Sequence, residues 1–387
     1  MAKPLQQFLD DLEAPVEVRR FGSGWYAGFF GLLLAFAGLG LVAALRWPGW
    51  FAMPELNALE KTSWFRPLVH FVLLASYALA LLSLLLRRRK AIGFTALGIG
   101  IAAALLGGAN VSPREVHDWG IFFGVDFFVV NLIAAGLMFA PIERFWPHNK
   151  DQRLFRTEWR EDLFYYLISS MLVQIFTYLA LAPSSIINAQ TAGLAGIRAA
   201  IGGQPWALQF IEAMLLTDLA QYWFHRAFHR YPFLWGFHAV HHSAKAMDWL
   251  AGARMHFVEI ILLRGVTSLP LLTFGFLPSV MQAYVALVYV YSGLVHANLK
   301  GDFDRFGHLM VTPRFHHWHH GIEKEAIDVN FAIHFPLWDK LFGTFYLPKG
   351  KWPSGYGIGE KMPQGYLKQL AYPFVRSQKA IDAAKAE

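Results

Sequence analysis

Long apolar runs separated by short polar loops dominate the first 300 residues of the chain. Eight runs are predicted to be membrane-spanning helices, because their lengths approach the roughly 20 residues needed to cross a bilayer core. They cover residues 25–47, 67–86, 91–109, 120–140, 163–182, 206–224, 257–277 and 280–295. From residue 300 onward the chain becomes polar. The pattern predicts an all-α, polytopic membrane protein with about eight transmembrane helices and a helical cap outside the bilayer.

The composition agrees with a membrane protein. Hydrophobic residues make up 55% of the chain and charged residues only 16%. Many of the fourteen Trp and fourteen Tyr stand at the ends of the apolar runs, where interfacial aromatic residues are common. The net charge of +7 lies largely in short basic loops, which is typical of membrane topology and contact with anionic lipids. We therefore expect no nucleic-acid partner.

Thirteen of the sixteen histidines fall between residues 225 and 334, most of them in three short segments. The segments read HRAFH (225–229), HAVHH (238–242) and HHWHH (316–320). Residues three or four apart share a helical face, and imidazole is the commonest neutral nitrogen ligand. The patterned residues are His225, His229, His238, His241, His242, His316, His319 and His320. Eight imidazoles exceed the four of a tetrahedral zinc and suit two metals, but their spacing does not choose among Zn, Cu, Fe and Ni.

The positive-inside rule places the three segments on one side of the membrane. The basic run Arg87–Lys90 is predicted to be cytoplasmic, and counting crossings from it puts the basic loop 141–162 on the same side. The loops on the other side are poor in Lys and Arg; they cover residues 48–65, 110–119 and 183–205. By this count all the histidine segments emerge in the cytoplasm. They can meet because the chain between them crosses the membrane twice.

Three isolated polar residues accompany the histidine segments. Asp218 precedes His225 by seven residues, on the same helical face two turns deeper. A carboxylate there could accept a hydrogen bond from a ligand's second ring nitrogen; a polar contact between helices is the alternative. His308 and His334 follow no such spacing and are expected on the polar surface.

The chain contains no cysteine. This excludes disulfides, thiolate metal sites, an internal iron–sulfur cluster and a cysteine nucleophile. If the metal centre is redox-active, we expect its electrons to come from another protein.

The three segments resemble the HxxxH, HxxHH, HxxHH signature of the fatty acid hydroxylase superfamily. These integral-membrane di-iron oxygenases include sterol desaturases, sterol methyl oxidases and alkylglycerol monooxygenase. The flanking residues are also similar: Asp218 and Tyr222-Trp223 before the first segment, Thr312-Pro313 before the last, and Asp328, Asn330 and WDKLFGTF (338–345) after it. The resemblance covers roughly residues 141–350 and leaves the first four spans outside it.

The resemblance implies further site residues. His296, in HANLK, matches a family ligand. His256 lies in RMHFVE, similar to the family's Arg-x-His-Pro-x-Glu pattern but with phenylalanine in place of the proline, so its role as a ligand stays open. His317 is extra in its segment and is expected to support a ligand. Other candidates for ligands or supporting groups are Asp218, Asp328 and Asn330.

The resemblance also implies a function. It predicts two iron ions (which zinc can replace during purification), dioxygen, an external reductase or electron-transfer protein, and hydroxylation of a lipid. The lipid would be a fatty acyl, sterol, ether-lipid or amino-lipid compound, and desaturation by the same site is the alternative. A metal transporter with histidine-rich cytosolic loops is disfavoured because the histidines lie at span ends. A zinc hydrolase is disfavoured because the HExxH arrangement is absent.

The pattern divides the chain into three predicted regions. Residues 1–140 form a four-span membrane module, residues 141–350 a catalytic domain, and residues 351–387 a cytosolic tail. We expect a multi-pass protein of a bacterial inner membrane with its histidine site on the cytoplasmic side.

Overall fold

A computed structural model describes residues 3–48, 61–113, 125–172, 186, 192–301 and 303–376. Within these ranges the regular secondary structure is helical, with no β-strand and only an isolated bridge between Gly321 and Tyr356. The predicted all-α class is confirmed for this part of the chain. The chain divides into two compact units, Met1–Leu154 and Phe155–Glu387.

The first unit is a bundle of long apolar helices. Its helices are α1 (Lys3–Leu12), α2 (Trp25–Arg46), α3 (Phe65–Leu86), α4 (Ala91–Leu105) and α5 (Val125–Phe145). Helix α2 packs closely against α3 and α4. Glycine allows this approach, because a Cβ at Gly31 would lie only 3.0 Å from the backbone nitrogen of Ala80. The buried carboxylate of Asp11 pairs with Arg87 at the end of α3.

The second unit is built around one long helix. Its helices are α6 (Trp159–Met171), α7 (Ala195–Gly202), α8 (Trp206–Arg230), α9 (Pro232–His242), α10 (Phe257–Phe274), α11 (Pro278–His296), α12 (Pro313–His319), α13 (Leu337–Phe342) and α14 (Tyr366–Val375). The central helix α8 has 25 residues and packs against α9, α10 and α11. It ends where Pro232 begins α9, since proline is favoured in a first helical turn.

Five helices in the described part of the chain are long and apolar enough to cross a membrane. They are Trp25–Arg46, Phe65–Leu86, Ala91–Asn110, Phe257–Phe274 and Pro278–His296. Large apolar side chains point outward from them, such as Phe71, 68% exposed, and Val285, 65% exposed, as lipid contact requires. The multi-span class is therefore supported. Helices α5 and α8 coincide with predicted spans but are not among the five, and the run 163–182 continues into residues outside the described ranges.

Two features of the second unit bring distant segments to one end of it. Gly275, in the left-handed conformation at φ 76°, ends α10, and α11 begins three residues later. The start of α10 and the end of α11 therefore lie at the same end of the unit. The short helix α12 begins at a capping residue, Thr312, whose side chain accepts a hydrogen bond from the Phe315 amide.

Candidate metal centre

Nine histidines, eight on four helices and one directly after α12, gather their ring nitrogens into two groups. Within each group, one nitrogen per ring lies within 4.8 Å of all the others. The five-histidine group contains His225, His229, His238, His242 and His319, and the four-histidine group contains His241, His296, His316 and His320. The rings of His242 and His320 stack at 4.3 Å between centroids, so the groups adjoin. These are the nine residues that the sequence singled out as candidate ligands.

Each HxxHH segment divides its histidines between the two groups. The outer pair of the second segment, His238 and His242, joins the five-histidine group, while His241 joins the other. The segment 316–320 is divided in the reverse way, with His319 alone in the five-histidine group. Residues four apart share a helical face, whereas the histidine just before the second of them is turned by about 100°. Each HxxHH segment thereby contributes histidines to both groups.

Protein oxygens hold the Nδ1 atoms of six of the nine rings. Carbonyl oxygens accept from four rings: Phe331 from His225 at 2.9 Å, Val329 from His319 at 2.8 Å, Arg254 from His241 at 3.0 Å and Ser292 from His296 at 2.7 Å. Carboxylates contact two: Asp328 at 3.2 Å from His229 and Glu259 at 2.6 Å from His238. A carbonyl oxygen can only accept, so in the first four rings Nδ1 carries the hydrogen and Nε2 presents a lone pair.

The Nε2 atoms converge in a way that hydrogen bonding alone does not explain. The Nε2 atoms of His241 and His296 lie 3.2 Å apart, yet both rings already donate through Nδ1, so in the neutral rings neither Nε2 has a hydrogen to give. In the other group, Nε2 of His225 lies 2.9 Å from Nε2 of His238. Two nitrogens bound about 2.1 Å from one ion at right angles would lie about 3.0 Å apart. The residues therefore fit metal ions between the facing lone pairs.

Burial keeps the clustered imidazoles neutral. Desolvation, together with repulsion from neighbouring imidazoles, lowers the pKa of His238, His242 and His320 well below the ordinary value of 6.5. The Nε2 atoms of His229 and His319 are buried and have no hydrogen-bond partner among the described residues. Neutral rings with unshared lone pairs are the form in which histidine binds metal.

Asp218 does not contact a ring nitrogen in the structure. Its carboxylate accepts hydrogen bonds from the backbone N–H groups of Ile333, His334 and Phe335 at 2.8, 3.0 and 2.7 Å. The predicted contact between Asp218 and a ligand histidine is therefore absent from the structure. Asp218 fixes the loop after the last histidine segment, and the carbonyl of Phe331 in that loop holds His225.

Asp328 and Asn330 shape the same loop and belong to neither histidine group. Both adopt the left-handed backbone conformation, at φ 57° and 60°. The Asn330 side chain donates to the carbonyl oxygens of Phe315 and Tyr346 at 3.0 and 2.7 Å. These bonds place the carbonyl of Val329 at His319 and the carboxylate of Asp328 at His229.

The remaining histidines of the region also lie outside the two groups. His256 caps α10 by accepting from the Val258 amide, and its Nε2 donates to the Leu370 carbonyl at 3.1 Å. His317 lies 2.8 Å from the Tyr356 hydroxyl and 3.2 Å from the His296 carbonyl, so it supports the backbone of a candidate ligand.

His308 and His334, both expected on the polar surface, differ in the structure. His308 is exposed, as expected. The expectation for His334 is wrong, because this residue is fully buried, with Nε2 3.3 Å from the Tyr284 hydroxyl. Its backbone is drawn inward by the hydrogen bond to Asp218.

Glu259 is the main supporting residue that the sequence did not single out. It contacts His238 at 2.6 Å and is buried near the start of α10. The sequence feature that points to Glu259 is the RMHFVE stretch, in which the glutamate follows His256 by three residues. Because phenylalanine replaces the family's proline in that stretch, the sequence did not decide which of its residues support the site.

A buried network of charged residues supports the four-histidine group through the backbone of Arg254. The Arg254 guanidinium pairs with Asp162 and with Glu158, the latter at 3.1 Å, while its backbone carbonyl holds His241. Asp162 also pairs with Arg156, which reaches Asp248 at 2.7 Å. Burial in such a network requires every charge to be matched. The position of the Arg254 carbonyl is thereby fixed.

A helical membrane protein with two adjoining groups of inward-facing histidines is the class that the fold and the site define. Residues 210–344 match the family model described as Fatty acid hydroxylase. Over this part of the chain, the match confirms the resemblance read from the histidine segments.

Curated relatives agree with this assignment over part of their length. The chain is 31% identical over 173 residues to an ornithine lipid hydroxylase, OlsE, of Rhizobium tropici, covering 44% of this chain and 52% of that protein. It is 30% identical to alkylglycerol monooxygenase of Homo sapiens, covering 36% and 31%. It is 28% identical to lathosterol oxidase of Rattus norvegicus, covering 38% and 50%. The chain thus spans about half or less of the length of these relatives. No solved structure matches it.

Proposed function

We propose that this protein is a membrane-bound, non-haem di-iron oxygenase that hydroxylates a lipid, with dioxygen and electrons from an external protein. The observation that carries the proposal is the convergence of facing Nε2 lone pairs in two adjoining groups, within a domain of a hydroxylase family. Two such groups suit two metal ions. Four or five nitrogen donors each leave room for a further ligand on a six-coordinate metal.

Iron is the metal that the donor set and the family favour. Five histidines exceed the four ligands of a tetrahedral zinc, and the Nε2 spacings of 2.9 and 3.0 Å suit ligands at right angles. When bound, two irons would supply the reduction of dioxygen and the oxidation of an unactivated C–H bond. The chain itself holds the imidazoles neutral and oriented, with Glu259 and Asp328 contacting two of them. Zinc can occupy the same donors during purification.

Lipid substrates follow from the setting of the site and from the relatives. The site lies at the ends of α10 and α11, both apolar enough to cross a membrane. The names of the relatives point to ornithine lipids and alkylglycerols, and we propose an amino-lipid or ether-lipid ahead of a simple fatty acyl chain. Desaturation is the second candidate, and the similarity to a lathosterol oxidase supports a sterol for it.

We further propose the arrangement in the membrane that the loop charges predict. Eight spans would place the histidine groups in a cytosolic cap on an inner membrane of bacterial type, with residues 1–140 as a four-span module, 141–350 as the catalytic domain and 351–387 as the tail. The absence of cysteine makes this testable by labelling. A single cysteine at exposed Lys324 should react with a membrane-impermeant thiol reagent only after cells are opened. Labelling in intact cells would contradict a cytosolic cap.

The activity is tested with purified protein, ferrous iron, dioxygen, a reductase and a bacterial lipid extract. We expect a lipid product heavier by one oxygen atom in mass spectrometry, and its loss in His238→Ala and His319→Ala. Turnover that survives in either variant would refute the site. Comparison of lipids from cells with and without the gene then identifies the substrate class.

A further inference from the structure

An arginine stands inside one of the candidate membrane spans. Arg264 is the eighth residue of α10, partly buried among apolar neighbours. Among the residues that the structure describes, its guanidinium forms no ion pair and donates no hydrogen bond. A charged group at this depth is costly unless something compensates it, so it marks a functional position.

Two buried acidic residues, one on α10 and one on the adjacent helix α8, are hydrogen-bonded to other groups. Glu259 lies on the same helix but contacts His238, and Asp218 accepts three backbone hydrogen bonds. The 173–191 stretch contains neither Asp nor Glu. No carboxylate that the structure describes in this unit is paired with Arg264.

A hydrogen-bonded pair of tyrosines connects α11 and α6. The charge of Arg264 interacts with the phenol of Tyr289 on α11, and the hydroxyl of Tyr289 is hydrogen-bonded to that of Tyr166 on α6. When Tyr166 donates in this pair, Tyr289 keeps its hydrogen for a further acceptor. Tyr289 is 38% exposed, whereas Tyr166 is buried, so the pair can be approached only from the side of Tyr289. The edge of Trp249 packs against Tyr166 at 6.2 Å and limits its movement.

The cluster has a defined depth below the histidine groups. Arg264 lies seven residues after the start of α10, and Tyr289 lies seven residues before His296 at the end of α11. Seven residues of helix span about 10 Å. A molecule held by Arg264 and Tyr289 along these helices can thus extend to the histidine end within the length of a short alkyl segment.

We propose that Arg264, Tyr289 and Tyr166 form a subsite for the anionic group of the lipid substrate, a carboxylate or a phosphate. Guanidinium binds either group through two parallel hydrogen bonds, and a tyrosine hydroxyl adds a third. The apolar surroundings strengthen this attraction and provide contact for the hydrocarbon part. The subsite gives the proposed hydroxylase its substrate class, and it rests on that proposal for the identity of the bound lipid as substrate.

The test is equilibrium binding to purified protein in a neutral maltoside detergent. The probes are oleate, oleyl phosphate and uncharged oleyl alcohol, with acetate and inorganic phosphate as anions that have no tail. We expect oleate or oleyl phosphate to bind at least tenfold more tightly than the alcohol. Equally tight binding of the tail-free anions would overturn the assignment to a lipid, and the absence of a preference would overturn the subsite.

Substitutions test whether the preference for anionic probes depends on Arg264 and Tyr289. Arg264→Gln should reduce the preference for the anionic probes over the alcohol to less than twofold. Arg264→Lys should leave an intermediate preference, and Tyr289→Phe should reduce the preference about threefold. Arg198→Gln is the matched control, because Arg198 donates to the Thr273 carbonyl near the other end of α10 and should keep the full preference. Metal content and binding of the alcohol should stay unchanged in all four.

The outcomes separate this subsite from the proposed activity. A preference that persists in Arg264→Gln overturns the subsite; if that variant does not fold, an undiminished preference in Tyr289→Phe does so. Binding requires no turnover, so a preference lost in these variants supports the subsite even if no hydroxylation is found. Hydroxylation without any anionic preference would support the activity and refute the subsite.

Discussion

The five-histidine and four-histidine groups share helices α9 and α12 but are supported differently. In the larger group, two carbonyls and two carboxylates, from Asp328 and Glu259, hold four of the five Nδ1 atoms. In the smaller group only two carbonyls do so, and the Nδ1 atoms of His316 and His320 have no hydrogen-bond partner in the described part of the chain. Carboxylate support raises ligand basicity and fixes ring orientation. We infer that the larger group binds its metal more tightly.

The largest effects should come from removing one ligand from each group. His242→Ala and His320→Ala change two rings that stack on each other, yet each belongs to a different group. We expect hydroxylation to fall at least 100-fold in both, because both metals are needed. Metal analysis should show a more complete loss of one equivalent in His320→Ala, which leaves only three ligands. His308→Ala, at an exposed position, is the control. Two tightly held metals in either variant would contradict the grouping.

The next effect should follow from breaking the charge network behind the smaller group. Asp162→Asn leaves Arg254 and Arg156 short of a buried counter-charge, which typically costs about 3–5 kcal/mol of stability. The Arg254 carbonyl should shift and loosen His241, so the smaller group should lose metal first. Denaturant unfolding and chelator resistance measure the two effects. The exposed Glu325→Gln should change neither. An equal loss of metal from both groups would show that the network does not act through Arg254.

A moderate effect is expected from the carboxylates of the larger group. Glu259→Gln should weaken metal binding there by about 10–100-fold, as such supporting contacts do elsewhere. Asp328→Asn should have a smaller effect, because the Asp328 side chain is 59% exposed and its hydrogen bond is longer. Competition with a chelator of known affinity measures both. A larger change in the four-histidine group would reverse the comparison.

The smallest effect concerns His334, a buried histidine outside both groups. Burial lowers its pKa from 6.5 to about 4, so its neutral form stabilises the fold above pH 6.5 and that contribution is lost as the pH falls toward 4. The full shift corresponds to roughly 3 kcal/mol at most. His334→Gln should unfold with a weaker pH dependence between 6.5 and 4 than the parent, in denaturant titrations at each pH. Parallel curves would show that His334 does not titrate on unfolding.

Local spacing in the sequence was sufficient to find eight of the nine clustered histidines and the family, and the resemblance to that family added His296. Histidines three or four residues apart must share or adjoin a helical face, whatever the rest of the fold does. Apolar runs likewise indicated five helices that the structure shows to be long and apolar enough to span a membrane. Both patterns depend only on residues close together in the sequence, so they can be recognised without a tertiary structure.

The tertiary structure alone decided how those histidines divide and what holds them. The contact between His238 and Glu259 joins residues 21 positions apart, and the contact between Asp218 and the Ile333 amide joins residues 115 apart. The burial of His334, and the lack of an ion pair to Arg264 among the described residues, also depend on which helices surround them. A sequence records which groups are present. Their partners are set by packing between distant segments, and here that packing separates one histidine-rich stretch into two unequal groups.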